Sequence, residues 1–266
     1  MKSSRIGFVG AGRMGLPMVK RLAAAGHDLT VYARRPETRA ELDQLGIGHT
    51  GELAAAAADA DVLLICVFND EQLTEIAGPL AGALPPGAVL ASHVTGRESV
   101  LRAVADRFPG IDVVDAPVSG GPAEIQAGQL TVLLGGSPAA RARAAGAVAA
   151  YASPVIETGE LGTALAVKLV NNLLFAANAQ LVAEAVRFGG DLGLAPELLL
   201  GALNQMSGGS QASRRAAEGG TMASFGPRIA PYLRKDVAAC AAQAAERDVD
   251  PGLLTDVARR GPLAVT

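Results

Sequence analysis

The sequence predicts a doubly wound α/β domain over residues 1–162, followed by an all-α domain over residues 163–266. Two observations carry this prediction. Up to residue 162, short apolar runs alternate with helical patterns, which is typical of a parallel sheet with helices on both faces. Beyond that point the strand patterns stop, and the apolar residues recur at helical spacing.

The first domain contains several strand candidates, each a short run rich in apolar residues. They are Arg5–Gly10, Leu29–Ala33, Asp61–Phe68, Ala88–Ser92, Asp112–Ala116, Leu130–Leu134 and Pro154–Glu157. Asp61–Phe68 is almost wholly apolar, as expected of a strand that is covered on both faces. Helical patterns separate the strands. They are Leu16–Gly26, Glu37–Leu45, Glu52–Ala58, Glu71–Leu80, Glu98–Arg107 and Pro138–Ala150.

The second domain opens with a long helical pattern, Thr163–Gly189. At about 1.5 Å per residue this helix would run roughly 40 Å, so we expect it to bridge domains or subunits. Further helices are predicted over Ala195–Met206, Pro231–Arg247 and Pro251–Ala264. A glycine-rich segment, Ser207–Gly226, separates two of them.

Composition excludes several classes of function. A formal net charge of −3, with nine aromatic residues (six Phe, three Tyr, no Trp), argues against a nucleic-acid-binding surface. Two cysteines cannot form a disulfide framework, and three scattered histidines give no metal-ligand spacing. The N-terminus lacks the apolar block of a signal peptide, and no run of about 20 residues is apolar throughout. We therefore expect a cytoplasmic protein without a membrane span.

A glycine-rich turn follows the first strand candidate and opens the first helix. It is the G-x-G-x-x-G run Gly10-Ala11-Gly12-Arg13-Met14-Gly15. In this position the first glycine permits a tight turn, the second lets the backbone approach a pyrophosphate, and the third lets helix and strand pack closely. The motif in this strand–turn–helix context predicts a Rossmann-type dinucleotide-binding domain.

Two arginines follow the second strand candidate, where an NAD-dependent enzyme usually has an acidic residue that binds the ribose 2′-hydroxyl. This chain has Arg34 and Arg35 there, and no acidic residue before Glu37. A guanidinium group binds phosphate oxygens in a bidentate fork. We therefore expect the cofactor to be NADPH/NADP+, bound through its 2′-phosphate.

Four segments of the chain resemble the β-hydroxyacid dehydrogenase family. Gly7–Met18 resembles its cofactor loop, Asp115–Gly121 (DAPVSGG) its substrate signature, Gly159–Asn172 its catalytic signature, and Arg234–Asp236 a C-terminal Lys-Asp pair. The resemblance covers nearly the whole chain. It implies an oxidoreductase that transfers a hydride between nicotinamide and a small 3-hydroxy acid or semialdehyde.

The two middle segments supply the expected chemistry. Ser119, Gly120 and Gly121 follow a strand and offer a hydroxyl and backbone N–H groups to a substrate carboxylate. Lys168 and Asn172 are four residues apart and therefore share one helical face. Lys168 would act as general acid/base, since burial in an apolar cleft lowers the pKa of lysine from its free value of about 10.4. Asn172, or its neighbour Asn171, would orient the lysine or the substrate.

The resemblance implies three further cofactor contacts, from Asn69, from Thr95 and, in the helical domain, from Lys235. The chain departs from the family pattern at Val94, where the family has a serine, and at Ala164, where it has a glycine. Val94 leads us to expect a more apolar or bulkier substrate than the simplest family members use. His93 is the one rival to Lys168 as proton donor.

Two other functions stay open. An imine reductase would share the fold, although such enzymes typically replace the lysine. A catalytically silent NADP-binding scaffold would share it too, although such relatives tend to lose the lysine or gain extra modules. The length and apolar character of Thr163–Gly189 predict a homodimer or homotetramer packed through residues 163–266.

Overall fold

The computed structural model describes residues 4–264, apart from the side chain of Ala223. These residues form two compact units, one up to Lys168 and one from Leu169 onwards. The division falls inside a long helix, after Lys168, whereas the sequence predicts a domain boundary between residues 162 and 163. Leu165, in the first turn of this helix, is buried in an apolar cluster of the first unit, so the start of the helix belongs to that unit.

The strands among the described residues of the first unit form one sheet. Its strands are β1 Arg5–Val9, β2 Asp28–Tyr32, β3 His49–Thr50, β4 Val62–Ile65, β5 Val89–Ser92, β6 Asp112–Asp115, β7 Val118–Ser119, β8 Leu130–Gly135 and β9 Ala152–Gly159. Six parallel strands lie in the order β3-β2-β1-β4-β5-β6. Strand β8 pairs antiparallel with β6 and β7 and parallel with β9. The predicted doubly wound sheet is thus confirmed.

Helices cover both faces of this sheet. They are α1 Gly15–Ala24, α2 Pro36–Gln44, α3 Asp70–Ala83, α4 Glu98–Arg107, α5 Pro122–Ala127 and α6 Pro138–Val148. Successive strand residues alternate between two apolar clusters: Val62 and Leu64 join the one that contains α1 and α6, whereas Leu63 and Ile65 join the one that contains α3 and α4. This alternation explains why β4 is apolar at every position.

The regular elements among the described residues of the second unit are all helices, as predicted. Its helices are α7 Thr163–Asp191 (which begins in the first unit), α8 Pro196–Leu203, α9 Gln211–Glu218, α10 Met222–Glu246 and α11 Leu253–Arg260. Their apolar faces meet in one cluster that includes Leu173, Leu200 and Phe225. The buried side-chain amide of Gln180 binds the segment at and after α11. It donates to the carbonyls of Ala258 and Leu263 and accepts the Leu263 N–H.

The structure corrects several predicted elements. The pattern Glu52–Ala58 forms only a 3₁₀ turn, Ala54–Ala56, and the short elements β3, β7 and α5 were not predicted. The glycine-rich segment Ser207–Gly226 contains α9 and the start of α10. Hydroxyl groups of Ser210 and Thr221 accept the N–H groups of Ser213 and Ser224 and so begin these helices among glycines.

Helix α7 is the one described helix that is long and apolar enough to cross a membrane. That result reflects length and composition only, and 56% of its apolar window is buried inside the protein. A core helix of a soluble domain passes the same test. The expectation of no membrane span stays a prediction.

Candidate active site

Four of the segments predicted to bind the cofactor leave the sheet side by side. The loop Gly10–Gly15 follows β1, Arg34 and Arg35 follow β2, Asn69 follows β4 and Thr95 follows β5. Because β2, β1, β4 and β5 are parallel neighbours in that order, these segments emerge at one edge. The direction of chain progress reverses between β1 and β4, and open α/β sheets bind ligands in the crevice at such a reversal.

The three glycines of the first loop meet different surroundings. A Cβ on Gly10, whose φ is +101°, would collide with the backbone carbonyl of Cys66, and a Cβ on Gly15 would collide with the Gly10 carbonyl. Packing within the protein therefore requires both glycines. A Cβ on Gly12 would meet no atom within 4 Å. Nothing in the protein requires a glycine there, so the open side of Gly12 fits the close approach of a ligand.

The start of α1 is suited to a pyrophosphate. Its N-cap residue, Met14, makes no side-chain cap, and the first turn contains no acidic residue. Backbone N–H groups at such a helix end carry a partial positive charge and bind phosphate oxygens. Arg13 is exposed at the turn, and Ala11 is buried beneath it in the core. These residues fit the dinucleotide that the motif predicts.

The turn after β2 presents both predicted arginines to solvent. Arg34 and Arg35 are exposed, whereas Ala33 before them is buried. A third arginine holds this turn: Arg39, one turn into α2, donates from Nε to the Ala33 carbonyl at 2.7 Å and from Nη2 to the Arg34 carbonyl at 3.5 Å. Arg39 is not among the site residues predicted from the sequence, although it lies only four positions after Arg35.

Asn69 caps a helix. Its Oδ1 accepts the Gln72 N–H of α3 at 3.1 Å, and the Gln72 side chain accepts the Phe68 N–H at 3.0 Å. This cap fixes the loop after β4 beside the glycine loop. Thr95 is half-buried after β5. Contact of either residue with the cofactor stays a prediction.

The residues before Thr95 face the interior. His93 is buried between two partners, with Nδ1 2.6 Å from the Ala116 carbonyl and Nε2 2.7 Å from the Tyr151 hydroxyl. The carbonyl can only accept, so Nδ1 carries the proton and Nε2 accepts from Tyr151. Burial lowers the pKa of His93 to about 4. A neutral imidazole with both nitrogens engaged is a poor rival to Lys168 as proton donor.

The predicted carboxylate cradle is only partly available. Ser119, at the end of β7, and Gly120 are exposed. The Gly121 N–H, however, donates to Oε2 of Glu124 at 2.8 Å, as part of the cap of α5. From the sequence, both glycine N–H groups are expected to be open. A substrate carboxylate would have to displace the Glu124 side chain to reach the N–H of Gly121.

The substrate and catalytic signatures meet at Asp115. This residue ends β6 and is fully buried, and its Oδ1 and Oδ2 accept the N–H groups of Gly162 at 2.9 Å and Leu165 at 2.7 Å. Burial raises the pKa of Asp115, although the hydrogen bonds from the start of α7 oppose the shift. The strand end that precedes Ser119 is thereby joined to the helix that carries Lys168.

Other side chains hold the turn between β9 and α7. Nη1 of Arg141 donates to the Gly159 carbonyl at 2.8 Å, and Nη2 of Arg102 donates to the Leu161 carbonyl at 3.2 Å. Gly162 has a φ of +95°, and a Cβ there would collide with the carboxyl group of Glu98. Gly162 therefore permits a tight approach of the turn to α4.

Lys168 lies on α7, three residues after Leu165, and is half-buried. Asn172 follows one helical turn later on the same face and is 7% exposed, and its Oδ1 accepts from Nδ2 of Asn171 at 3.1 Å. Lys235 lies on α10, with Nζ 3.6 Å from a carboxylate oxygen of Asp236. Its contact with the cofactor stays a prediction.

Comparison with known proteins identifies the family. A model of the NAD-binding domain of 6-phosphogluconate dehydrogenase matches residues 5–162, more than half of the chain. A model for NAD-binding of NADP-dependent 3-hydroxyisobutyrate dehydrogenase matches residues 162–260. The chain belongs to the β-hydroxyacid dehydrogenase family. It is therefore an oxidoreductase of the NAD(P)-dependent 3-hydroxyacid dehydrogenase type, with a domain for a nicotinamide cofactor.

Individual relatives agree with this assignment. An uncharacterized oxidoreductase of Synechocystis is 30% identical over 262 residues, 95% of this chain and 90% of that protein. The 2-(hydroxymethyl)glutarate dehydrogenase of Eubacterium barkeri is 31% identical over 82% of this chain and 74% of its own. A solved 3-hydroxyisobutyrate dehydrogenase from Mycobacterium tuberculosis shares the fold, with a TM-score of 0.85 at 24% identity, over 96% of this chain and 91% of its own.

Val94, where this β-hydroxyacid dehydrogenase departs from the family's serine, does not line the crevice. Its side chain is 2% exposed and belongs to the apolar cluster that contains Leu165. The expectation of a bulkier, more apolar substrate loses its basis, because that expectation placed Val94 beside the reacting atoms. The second departure, Ala164, is fully buried in the first turn of α7.

The position of His93 generates a prediction about acid stability. The unfolded chain protonates a histidine near pH 6.5, whereas the folded protein does so only near pH 4. The unfolded state therefore binds more protons between these values, and folding stability falls as the pH is lowered through this window. We expect this histidine to contribute a loss of about 2 kcal/mol between pH 7 and pH 4.5.

Urea unfolding of the wild type and of His93→Gln at both pH values measures that contribution. The variant should be less stable at pH 7, because it disturbs two buried hydrogen bonds, but it should lose less stability on acidification. Equal losses in both proteins would show that His93 does not titrate as the structure implies.

Proposed function

We propose that this protein is an NADPH-dependent dehydrogenase that interconverts a small 3-hydroxy acid and the matching semialdehyde. The observation that carries the proposal is the junction at Asp115. Because Asp115 binds the first turn of α7, the helix with Lys168 starts beside the strand end that leads to Ser119. A proton donor and a carboxylate-binding segment thus adjoin the sheet edge from which the cofactor segments emerge.

The proposed reduction needs one proton and one hydride. NADPH, when bound, supplies the hydride that adds to the carbonyl carbon. Lys168 donates a proton to the carbonyl oxygen as negative charge develops there, and the neutral amine then takes a proton from solvent. Ser119 and the Gly120 backbone hold the substrate carboxylate, which aligns the carbonyl with Lys168. Asn172 orients the lysine or the substrate hydroxyl from the next turn.

The preference for NADPH rests on the turn after β2. Arg34 and Arg35 are both exposed there, and Arg39 fixes the backbone that carries them. A fixed backbone reduces the entropy that either guanidinium loses on binding a 2′-phosphate. The turn offers positive charge where an NAD enzyme would offer a carboxylate.

A homo-oligomer is the proposed assembly. Four apolar side chains at seven-residue intervals, Val167, Leu174, Leu181 and Phe188, are each about half exposed along α7. Seven-residue spacing keeps side chains on one stripe of a helix, as at helix–helix contacts. A second copy of the chain is the proposed cover for this stripe, in a dimer or tetramer.

A substrate panel with NADP⁺ tests the reaction. Two relatives are named as dehydrogenases of 2-(hydroxymethyl)glutarate and of 3-hydroxyisobutyrate. One structural neighbour, a 3-hydroxyisobutyrate dehydrogenase, was solved with L-serine. All three compounds carry a CH₂OH group next to a carboxylate-bearing carbon, so they vary only the remaining substituent. We expect turnover of at least one acid, little or none of its amide or ester, and none of cyclic imines with NADPH.

Lys168→Ala should lower kcat on that substrate by about 10²–10⁴-fold, the usual contribution of general acid catalysis, with NADPH affinity near normal. Lys20→Ala, which changes an exposed lysine on α1, is the matched control. Wild-type turnover by Lys168→Ala would refute the mechanism. Tight NADPH binding with no turnover of any panel compound by the wild type would favour the scaffold function instead.

Arg34→Ala should weaken NADPH binding about tenfold or more and leave NADH binding nearly unchanged, because a charge-assisted contact is worth about 1.5–3 kcal/mol. Fluorescence titration with each cofactor measures both dissociation constants. Arg259→Ala, at an exposed arginine of α11, should change neither. Equal losses for the two cofactors would contradict a 2′-phosphate site at this turn.

Leu181→Lys should disrupt the proposed assembly, because it puts a charge in the middle of the apolar stripe of α7. Light scattering at micromolar concentration should show an oligomer for the wild type and a smaller species for the variant. Leu198→Lys changes an equally exposed leucine on α8 and should keep the wild-type mass. A monomeric wild type would contradict the proposal.

A further inference from the structure

Asp115 is a buried carboxylate that caps a helix distant from it in the sequence. It belongs to a strand, yet both carboxylate oxygens bind backbone N–H groups of a helix that begins 47 residues or more along the chain. The first N–H groups of a helix have no partner within the helix. A single side chain from another part of the fold therefore satisfies two of them in α7.

The carboxylate cannot readily adopt another arrangement. Gly135 of β8 lies so close that a Cβ there would collide with Oδ1 of Asp115. The residue has no exposed surface, so water does not replace its partners. Two hydrogen bonds to N–H groups three residues apart fix both the rotation of α7 about its axis and its distance from the strand end.

This constraint acts directly on Lys168. Leu165, which donates one of the two hydrogen bonds, is 2% exposed and packed in the apolar cluster of the first unit. Lys168 follows it within one helical turn, too short a segment to absorb a change of rotation. Side chains on a helix also lean towards its N-terminus, so the Lys168 side chain extends back over the turn that Asp115 holds.

We propose that Asp115 is a positioning residue for the reaction, which sets the rotation of α7 and so aims the ammonium group of Lys168 at the substrate carbonyl. This inference rests on the proposed function of Lys168. An Asn or Ser side chain would cap the helix through one oxygen. The carboxylate supplies two acceptors, and the reaction requires both because the second bond restricts the rotation of α7 further than the packing of Leu165 alone.

Kinetics of Asp115→Asn test the inference. The variant keeps the side-chain shape but has only one acceptor oxygen. We expect kcat to fall 10–100-fold, since a misplacement of about 1 Å costs about 10²-fold, while KM and the NADPH dissociation constant stay within about threefold. Asp112→Asn makes the same change on the same strand, where the carboxylate accepts only from Ser137 at 3.3 Å, and should leave all three constants unchanged.

Two measurements without turnover separate this inference from the proposed function. Hydrogen exchange at the amides of Gly162 and Leu165 should be slow in the wild type, because Asp115 protects them, and at least tenfold faster in Asp115→Asn. Acylation of Lys168, followed by mass spectrometry, should change at least threefold in the variant, with Lys20 as internal reference. These results are expected even if the true substrate lies outside the panel.

A wild type that turns over no panel compound would count against the proposed function alone. Unchanged kcat, or unchanged acylation of Lys168, in Asp115→Asn would overturn the positioning role. Parallel losses of kcat, NADPH affinity and thermal stability would also overturn it, because they indicate general damage to the fold. Should Asp115→Asn fail to fold, Asp115→Ser, which is smaller and keeps one acceptor, is measured by the same criteria.

Discussion

The relation between the sheet and α7 depends on the buried carboxylate of Asp115. Burial of a charge is costly and raises the pKa of Asp115, and the hydrogen bonds that the carboxylate accepts oppose this shift. The arrangement persists because the helix end offers unpaired N–H groups and a partial positive charge. The glycines around it, Gly135 and Gly162, permit an approach that any side chain would prevent. The position of Lys168 relative to the strand end follows from this contact.

The sheet edge carries two helix starts with opposite electrostatic character. At α1, the N-cap residue Met14 provides no side-chain acceptor, and Gly12 faces open space. At α7, the carboxylate of Asp115 already neutralises the positive helix end. An anion such as the proposed pyrophosphate is therefore favoured at α1 and disfavoured at α7. The two helix starts at this edge thus differ in charge, although both begin α-helices.

Local periodicity predicts the fold well where burial alone decides it. Apart from the helix expected over Glu52–Ala58, the strands and helices predicted up to β9 are present, because central strands such as β4 and β5 are buried at every position. Prediction fails over Ser207–Gly226, where glycine and serine suggest a loop, because the capping hydroxyls of Ser210 and Thr221 act through hydrogen bonds that composition does not reveal. The role of Asp115 is likewise not readable from its motif, since its partners lie 47 and 50 residues away.

At the end of β5, polar residues that are close in sequence to the candidate active site do not face it. Ser92 and His93 both turn inward: the Ser92 hydroxyl accepts the Val94 N–H at 3.3 Å, and His93 is held by Ala116 and Tyr151. Val94 is covered by the cluster around Leu165. Thr95 is the first residue of this segment whose side chain leaves the interior. The exposure of Thr95 is therefore compatible with its predicted contact with the cofactor, whereas Ser92, His93 and Val94 serve the packing of the interior.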